Sequence, residues 1–416
     1  MRRVLLDALM VGWGIGTWLG VSGLFVQLPL LVDRLPEGWA LASSMVLVIQ
    51  LANVGIIVYA ILSRLLPRIS EGVYIYGLLA IGTLALVLNA FLYDTINVIG
   101  GSERSAAFLA LTFFAALVGC TSSVLFYPYL RHFLDIYLAT YLVGEGLSGF
   151  IPSILALIQG VGGEPECIPS GDNSTIEAHF PPPRFDTMVF LLLLGLLSAI
   201  SLISFITINN YGGFNNQRVD LVAEDKTEEK VPEEKTILAT SWFGVLGLMM
   251  VLNALINGVM PSVQSYSSRP YGTRAHHLAT TLGAMANPTA CMAGIWLRPM
   301  PLPALAAMLS ITIAPLCFIL ATALLSPFPP LFDSAGGEVL IVLCWILVTG
   351  VISYTRMWVY GWARKGGAKG MRACGAVTQL GSLLGSVVMY CLVNFTNLFV
   401  QGSACSPPST YLHSMY

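Results

Sequence analysis

GWGIGTWLGVSGLFVQLPLLVDRLPEGW, Gly12 to Trp39, decides how the rest of the chain is read. It opens as a membrane helix in which Gly12, Gly16 and Gly20 fall four apart, share a face, and let another helix approach. Polar and aromatic groups then enter the apolar run at Trp18, Ser22, Phe25 and Gln27, and Pro29 removes a backbone donor. A helix that only spanned lipid has little use for Gln27 beside a proline at that depth. The pattern marks a helix that faces a pore.

Composition agrees. Of 416 residues, 56% are hydrophobic and only 10% charged, against about 25% charged in a soluble domain. Too little charge is present to cover a globular surface in water, so the chain reads as an integral membrane protein. The basic stripe and zinc spacing of a nucleic-acid binder are missing. The eight cysteines form no CxxC pair and read mostly as small apolar filler. The apolar run after Met1-Arg2-Arg3 continues past Gly20 without a cleavage site, which predicts a retained first helix.

At about 20 apolar residues per span, eleven candidates follow: 8–32, 40–63, 72–93, 105–130, 136–160, 186–209, 239–260, 272–297, 302–325, 338–363 and 371–400. The polar, charge-rich stretch 210–237 reads as a cytoplasmic linker. It divides a six-helix half (1–209) from a five-helix half (238–401), with an extracellular tail at 402–416. With the N-terminus inside, fourteen Lys and Arg fall on inside segments and five outside, and Arg356 lies within a span. This is the positive-inside bias, and an odd number of spans puts the C-terminus outside. Asn173-Ser174-Thr175 is then a glycosylation sequon on an outside loop. Asn394-Phe395-Thr396 falls in an apolar span and reads as a chance match. Cys167 and Cys405 both fall outside, where a disulfide is allowed, but their pairing is not legible.

No catalytic motif is present: no HExxH, no Walker A, no nucleophile elbow. His276 and His277 are adjacent and point about 100° apart on a helix, a poor metal pair. Polar groups inside the spans therefore read as a solute path. Gln50 and Asn53 share a face. Ser122 precedes Phe126, Tyr127, Pro128 and Tyr129. Glu145 sits between Gly144 and Gly146, and a carboxylate at that depth costs about 2.5–3.5 kcal/mol. Asn253 and Asn257 lie four apart, followed by Gln264 and Tyr266, and Asn287-Pro288 breaks the eighth span. Gln379 stands beside Gly381 and Gly385, which read as a helix contact. Broken helices around a midplane cavity are a common transporter device. Each feature has a plainer reading as helix packing, and Arg356 reads as a side chain that snorkels to the inner surface. The lining is amide, hydroxyl and aromatic. It suits a polar, largely uncharged solute with a flat π-system, stacked on Trp18, Phe25, Phe126 or Tyr266.

Several ordered stretches carry a resemblance to a known family. They are Gly16-Thr17-Trp18 with Val26-Gln27-Leu28-Pro29, Ile49-Gln50-Leu51-Ala52-Asn53, Cys120-Thr121-Ser122-Ser123, Val143-Gly144-Glu145-Gly146-Leu147-Ser148, Asn253 to Gly258 with Pro261 to Tyr266, Ala286-Asn287-Pro288, and Gln379 to Gly385. Across nearly its whole length the chain resembles the eukaryotic riboflavin transporters. The resemblance implies an all-α polytopic membrane protein with eleven helices in a 6+5 arrangement, similar to equilibrative nucleoside transporters and major-facilitator-like folds. It also implies vitamin B2 uptake across the plasma membrane by alternating access, with riboflavin as substrate and no cofactor. The implied substrate-binding residues are Trp18, Ser22, Phe25, Gln27, Gln50, Asn53, Ser122, Phe126, Glu145, Asn257, Gln264, Tyr266 and Asn287. Relatives often carry Asn, Trp and Glu at the positions of Ser22, Phe25 and Gln27. They also place a cysteine in a Ser-Pro-Cys-Pro turn, where this chain has Ser326-Pro327-Phe328-Pro329. A nucleoside or nucleobase carrier is the alternative, and a cell-surface receptor the alternative of another class.

Overall fold

A computed structural model describes residues 4–169, 176–218, 239–296, 302–363, 367–402 and 405. The chain is helical nearly throughout. The first expected span is not one rod: α1 (Val4–Ile15) and α2 (Leu19–Val26) meet at 52°. A short α3 (Leu28–Leu31) follows, with Pro29 in its first turn where a missing N–H costs nothing. The second expected span is also divided, into α4 (Leu41–Leu51) and α5 (Val54–Leu65). Then come α6 (Glu71–Leu92), α7 (Ala106–Leu130), α8 (Asp135–Gln159) and α9 (Thr187–Asn210). After the stretch 219–238, α10 (Ala239–Ala254) passes through a π turn (Leu255–Val259) into α11 (Met260–Ser268). The chain ends on α12 (Thr273–Trp296), α13 (Leu302–Leu324), α14 (Ala335–Ala363) and α15 (Gly367–Phe395).

Among the described residues nine helical stretches are long and apolar enough to cross a membrane, and the bent α1–α2 pair makes a tenth. The 24-residue α12 is not among them, because it carries His276, His277, Thr280, Thr281 and Asn287. Apolar side chains such as Ile57, Leu84, Phe91, Ile203, Leu343 and Val388 stand exposed along these helices, as a lipid-facing belt requires. Outside the helices are two short antiparallel hairpins, β1–β2 (Asn97–Ile99 with Ser102–Arg104) and β3–β4 (Glu166–Pro169 with Ile176–His179).

The expected linker begins as packed chain. Residues Gly212–Gln217 form a 3-10 turn, Tyr137 Oη donates to Gln217 Oε1 at 2.8 Å, and the Arg218 guanidinium lies 5.4 Å from the Phe133 ring centroid. The rest of the linker, the Asn173 sequon and most of the C-terminal tail lie outside the described residues.

Helices α1, α6, α7, α8 and α9 pack mainly on one another, as do α10 to α15. The two groups meet where α8, α2 and α3 touch α12 and where α4 touches α11 and α15. The core is distributed unequally between the two ends of this bundle. Near the Cys167 loop one apolar cluster takes residues from both groups: Leu28, Leu31, Trp39 and Met45 with Val263, Tyr266, Ala275 and Val393. Near the N-terminus there are two clusters. One holds Leu6, Trp13, Leu79, Phe126, Tyr137 and Phe205; the other holds Leu246, Met249, Val359 and Cys374.

Candidate functional site

Three features converge between the two groups: the bend at residues 16–18, Gly144-Glu145-Gly146 in α8, and Asn287-Pro288 in α12, which runs through its proline as one helix and is not broken there as the sequence suggests. The bend follows from backbone contact. A Cβ on Gly14 would stand 2.8 Å from Glu145 N, and one on Gly144 would stand 2.9 Å from Val11 Cα, so α1 and α8 cross with nothing between them. Gly12 and Gly16 face Ser204 and Ser201 of α9, whereas Gly20, beyond the bend, faces Ala115 of α7. The expected shared glycine face is therefore split by the bend, and the closest approach uses Gly14.

This crossing sets Glu145 beside Trp18. Tyr127 Oη donates to Glu145 Oε2 at 2.8 Å, and the Trp18 indole faces the same carboxylate as a second donor. The Trp18 ring lies over Gly119, where a Cβ would come within 2.7 Å of it. One turn on, Ser22 Oγ and the Pro288 ring both approach Gly149, at 3.6 and 3.9 Å from a Cβ built there. Trp18, Ser22 and Glu145, with half-buried side chains, thus lie together beside the buried Pro288 of α12. Asn287 is exposed and is the acceptor for Cys291 Sγ at 3.9 Å.

A second group lies at the α4–α5 break. Asn53 Nδ2 donates to Gln50 O and to Gln50 Oε1, both at 3.1 Å. Phe25 packs from α2 on the Ile49, Ala52, Ala116 and Cys120 cluster beside it. Ser122 Oγ donates to Gly119 O at 2.7 Å, one residue from the buried Thr121.

A third group is at the π turn. Asn257 Nδ2 donates to Ser382 Oγ at 2.9 Å and lies 3.3 Å from Asn253 Oδ1. Gly258 meets the Gly385 backbone, and a Cβ on Gly381 would stand 2.9 Å from the Met250 carbonyl carbon, so Gly381 and Gly385 are the helix contact expected of them.

The remaining expected site residues are placed elsewhere. Phe126 is fully buried, its ring centroid 5.2 Å from that of Trp13, inside an aromatic cluster with Tyr129, Tyr141 and Phe205. No face of it is left open to stack a solute. Gln27 is fully buried and donates to Gln159 Oε1 at 2.5 Å, while Gln159 Nε2 donates to Phe185 O at 2.9 Å. Tyr266 is wedged between Trp39 and Phe399, with centroids 5.8 and 5.4 Å away, and Gln264 is buried on the same short helix. These three belong to the seal at the Cys167 end.

That seal was not legible in the sequence. Arg269 Nη2 donates to Asp33 Oδ2 at 3.0 Å and its Nη1 to Thr273 Oγ1 at 2.7 Å. Glu164 accepts from Thr273 N at 2.8 Å, Thr273 Oγ1 at 3.0 Å and Arg274 N at 3.3 Å, capping α12 from the opposite group of helices. Burial pushes the Asp33 carboxyl up and Arg269 opposes it. Asn394 Nδ2 donates to Ser43 Oγ at 3.0 Å, and Trp39 N to Gln401 Oε1 at 3.1 Å. Cys167 and Cys405 form a disulfide across the same end. Among the described residues no cluster of three His, Cys, Asp or Glu side chains could hold a metal. His276 Nδ1 is instead 2.7 Å from Ser268 Oγ.

The sequence pattern of one family, described as solute carrier family 52, riboflavin transporter, matches residues 2–401. The chain is 37% identical to the Bos taurus solute carrier family 52 riboflavin transporter member 3, over 97% of this chain and 98% of that protein. It is 36% identical to member 3-A of Danio rerio, over 96% and 98% respectively. In fold it is similar to a D-xylose–proton symporter, with a TM-score of 0.58 and 14% identity, covering 94% of this chain and 89% of that one.

Proposed function

The chain belongs to solute carrier family 52, the riboflavin transporters, and from that premise we propose that it carries riboflavin across the plasma membrane by alternating access. The observation that carries this reading is the end-to-end family match, residues 2–401. A neutral lining at the helix breaks supports the substrate class. Trp18 and Phe25 offer ring faces. Gln50, Asn53, Asn257 and Asn287 offer amide donors and acceptors for the carbonyls and nitrogens of an isoalloxazine and for ribityl hydroxyls. Ser22 and Ser122 flank them. In this reading Glu145 orients Trp18 and Tyr127, while Gln27, Gln264, Tyr266 and Phe126 act through packing.

Eleven spans in a 6+5 arrangement follow if the bent α1–α2 pair and α12 each cross, giving halves 1–209 and 238–401. The count of Lys and Arg puts the N-terminus inside, and the Cys167–Cys405 disulfide belongs with the oxidising outer face. Asn173 then carries a glycan. The shared apolar cluster at the outer end and the divided clusters at the inner end describe a carrier open to the cytosol. Uptake of labelled riboflavin into cells expressing the chain, competed by flavins and by uridine, tests the reading. Inhibition by unlabelled flavins with none by uridine is expected. Equal inhibition by both would make the chain a nucleoside carrier.

A further inference from the structure

At the outer end one carboxylate of the first half meets one arginine of the second: Asp33 and Arg269, 3.0 Å apart. At the inner end the same two kinds of charge stand on the same two halves without meeting. Glu145 lies ten residues into α8, about 15 Å from its inner end, and Arg356 seven residues from the inner end of α14, about 10 Å. A long arginine side chain covers the difference in depth. Their surroundings place them on opposite walls of one gap. Cys291 of α12 lies within electrostatic range of both, and Tyr127, which holds Glu145, lies within range of Tyr360, one turn beyond Arg356 on α14. Tyr360 Oη is bonded to Thr378 Oγ1 at 3.1 Å, on its own side of the gap. Arg356 Nε is buried and has no acceptor among the described residues. Among the described residues Glu145 is held by Tyr127 and Trp18, uncharged groups of its own half. A guanidinium and a carboxylate left uncompensated at membrane depth are costly, and both sit where the cytosolic opening would have to close.

We propose that Glu145 and Arg356 form an ion pair when the inner end closes, taking over the role that Asp33 and Arg269 hold while the outer end is closed. This rests on the alternating-access reading and adds to it. Each half then carries one member of an outer and an inner pair, and rocking exchanges one pair for the other. Arg356 is a positioning residue of the cycle, not a side chain that snorkels to the surface.

The test is the rate at which N-ethylmaleimide modifies Cys291, which is exposed while the inner end is open, read by peptide mass mapping of the full-length protein in lipid nanodiscs without riboflavin. Arg356→Gln and Glu145→Gln each remove the inner pair, and the labelling rate is expected to rise by about twofold or more as the inward-open population grows. The charge-keeping Arg356→Lys is expected to label at the wild-type rate. Unchanged labelling in the single neutral variants overturns the proposal, as does an Arg356→Lys protein that labels as fast as Arg356→Gln. Because no substrate enters the assay, a wild-type protein that fails to carry riboflavin would overturn the proposed substrate and leave this contrast intact.

Discussion

The two ends of the bundle are built from similar residues and joined to different degrees. At the Cys167 end the halves share one apolar cluster, a buried ion pair, a helix cap supplied by Glu164, and a disulfide that bridges residues 238 apart in sequence. At the other end each half keeps its own cluster, and among the described residues Arg356 Nε has no hydrogen-bond partner. The contrast teaches where the strength of a two-state carrier resides. Packing within each half is continuous and apolar, so the halves persist as bodies. Packing between them is concentrated at one end, where a shared apolar cluster and a disulfide are joined by an ion pair and hydrogen bonds that can be exchanged for water.

If that account is right, the largest effect should come from Arg269. Arg269→Ala leaves the largely buried Asp33 without its cation, and loss of one partner of a buried pair costs about 3–5 kcal/mol. Thermal unfolding in detergent should show this as a large loss of stability, together with faster modification of outer-end residues. A variant as stable as wild type would mean that the seal depends on packing alone. Gly144→Val tests the opposite kind of contact, within a half. Its side chain meets the Val11 backbone, and overpacking of about 3 kcal/mol or more is expected, read as lost folded protein by size-exclusion chromatography. Cys167→Ser removes the covalent link between the loop after α8 and the tail after α15. About 2–4 kcal/mol of stability should be lost, and dithiothreitol should lower the melting temperature of wild type but not of the variant.

A finer measurement concerns pH. Burial raises the Asp33 pKa above its ordinary 3.8, so the folded, sealed protein binds this proton more tightly than the unfolded chain does. The stability contributed by Asp33 should therefore rise as pH falls through its raised value and level off below 3.8. The difference in melting temperature between wild type and Asp33→Asn across that range reads it directly, and a difference that shrinks with acid would contradict the sign. The smallest effect is expected at the π turn. Asn257→Ala loses the bond to Ser382, worth about 1 kcal/mol, and should lower riboflavin uptake more than it lowers stability.

Much of the fold was legible because membrane helices announce themselves through length and apolarity, and their ends through charge. The bend after Gly16 and the turns at Asn53 and Asn257 fall where Gly and amide residues sit in a span, whereas α12 runs through Asn287-Pro288 unbroken. The structure brings Trp18 to Glu145 and Ser22 to Gly149, one turn on. Phe126 was read as part of the same wall because aromatic residues in a polar neighbourhood suit stacking. Its ring turns instead onto Trp13, 113 positions earlier in the chain, and periodicity carries no information about that neighbour. Gln27 shows the same limit: its partner Gln159 lies 132 residues away. The seal residues Asp33, Glu164 and Arg269 gave no signal, because charges in loops outside the spans look like solvated charges until the loops are folded against each other.

The helical class, the lipid-facing belt and the presence of polar groups within the spans were determined by the sequence, since each depends on local composition and on the bilayer as solvent. The tertiary structure alone decided four things: the bend that brings Gly14 onto Gly144, the pairing of Cys167 with Cys405, the burial of Phe126 and Gln27, and the end at which the two halves close. Those depend on how helices distant in sequence cross, and a side chain's environment is set by the helix it meets, not by the helix it belongs to.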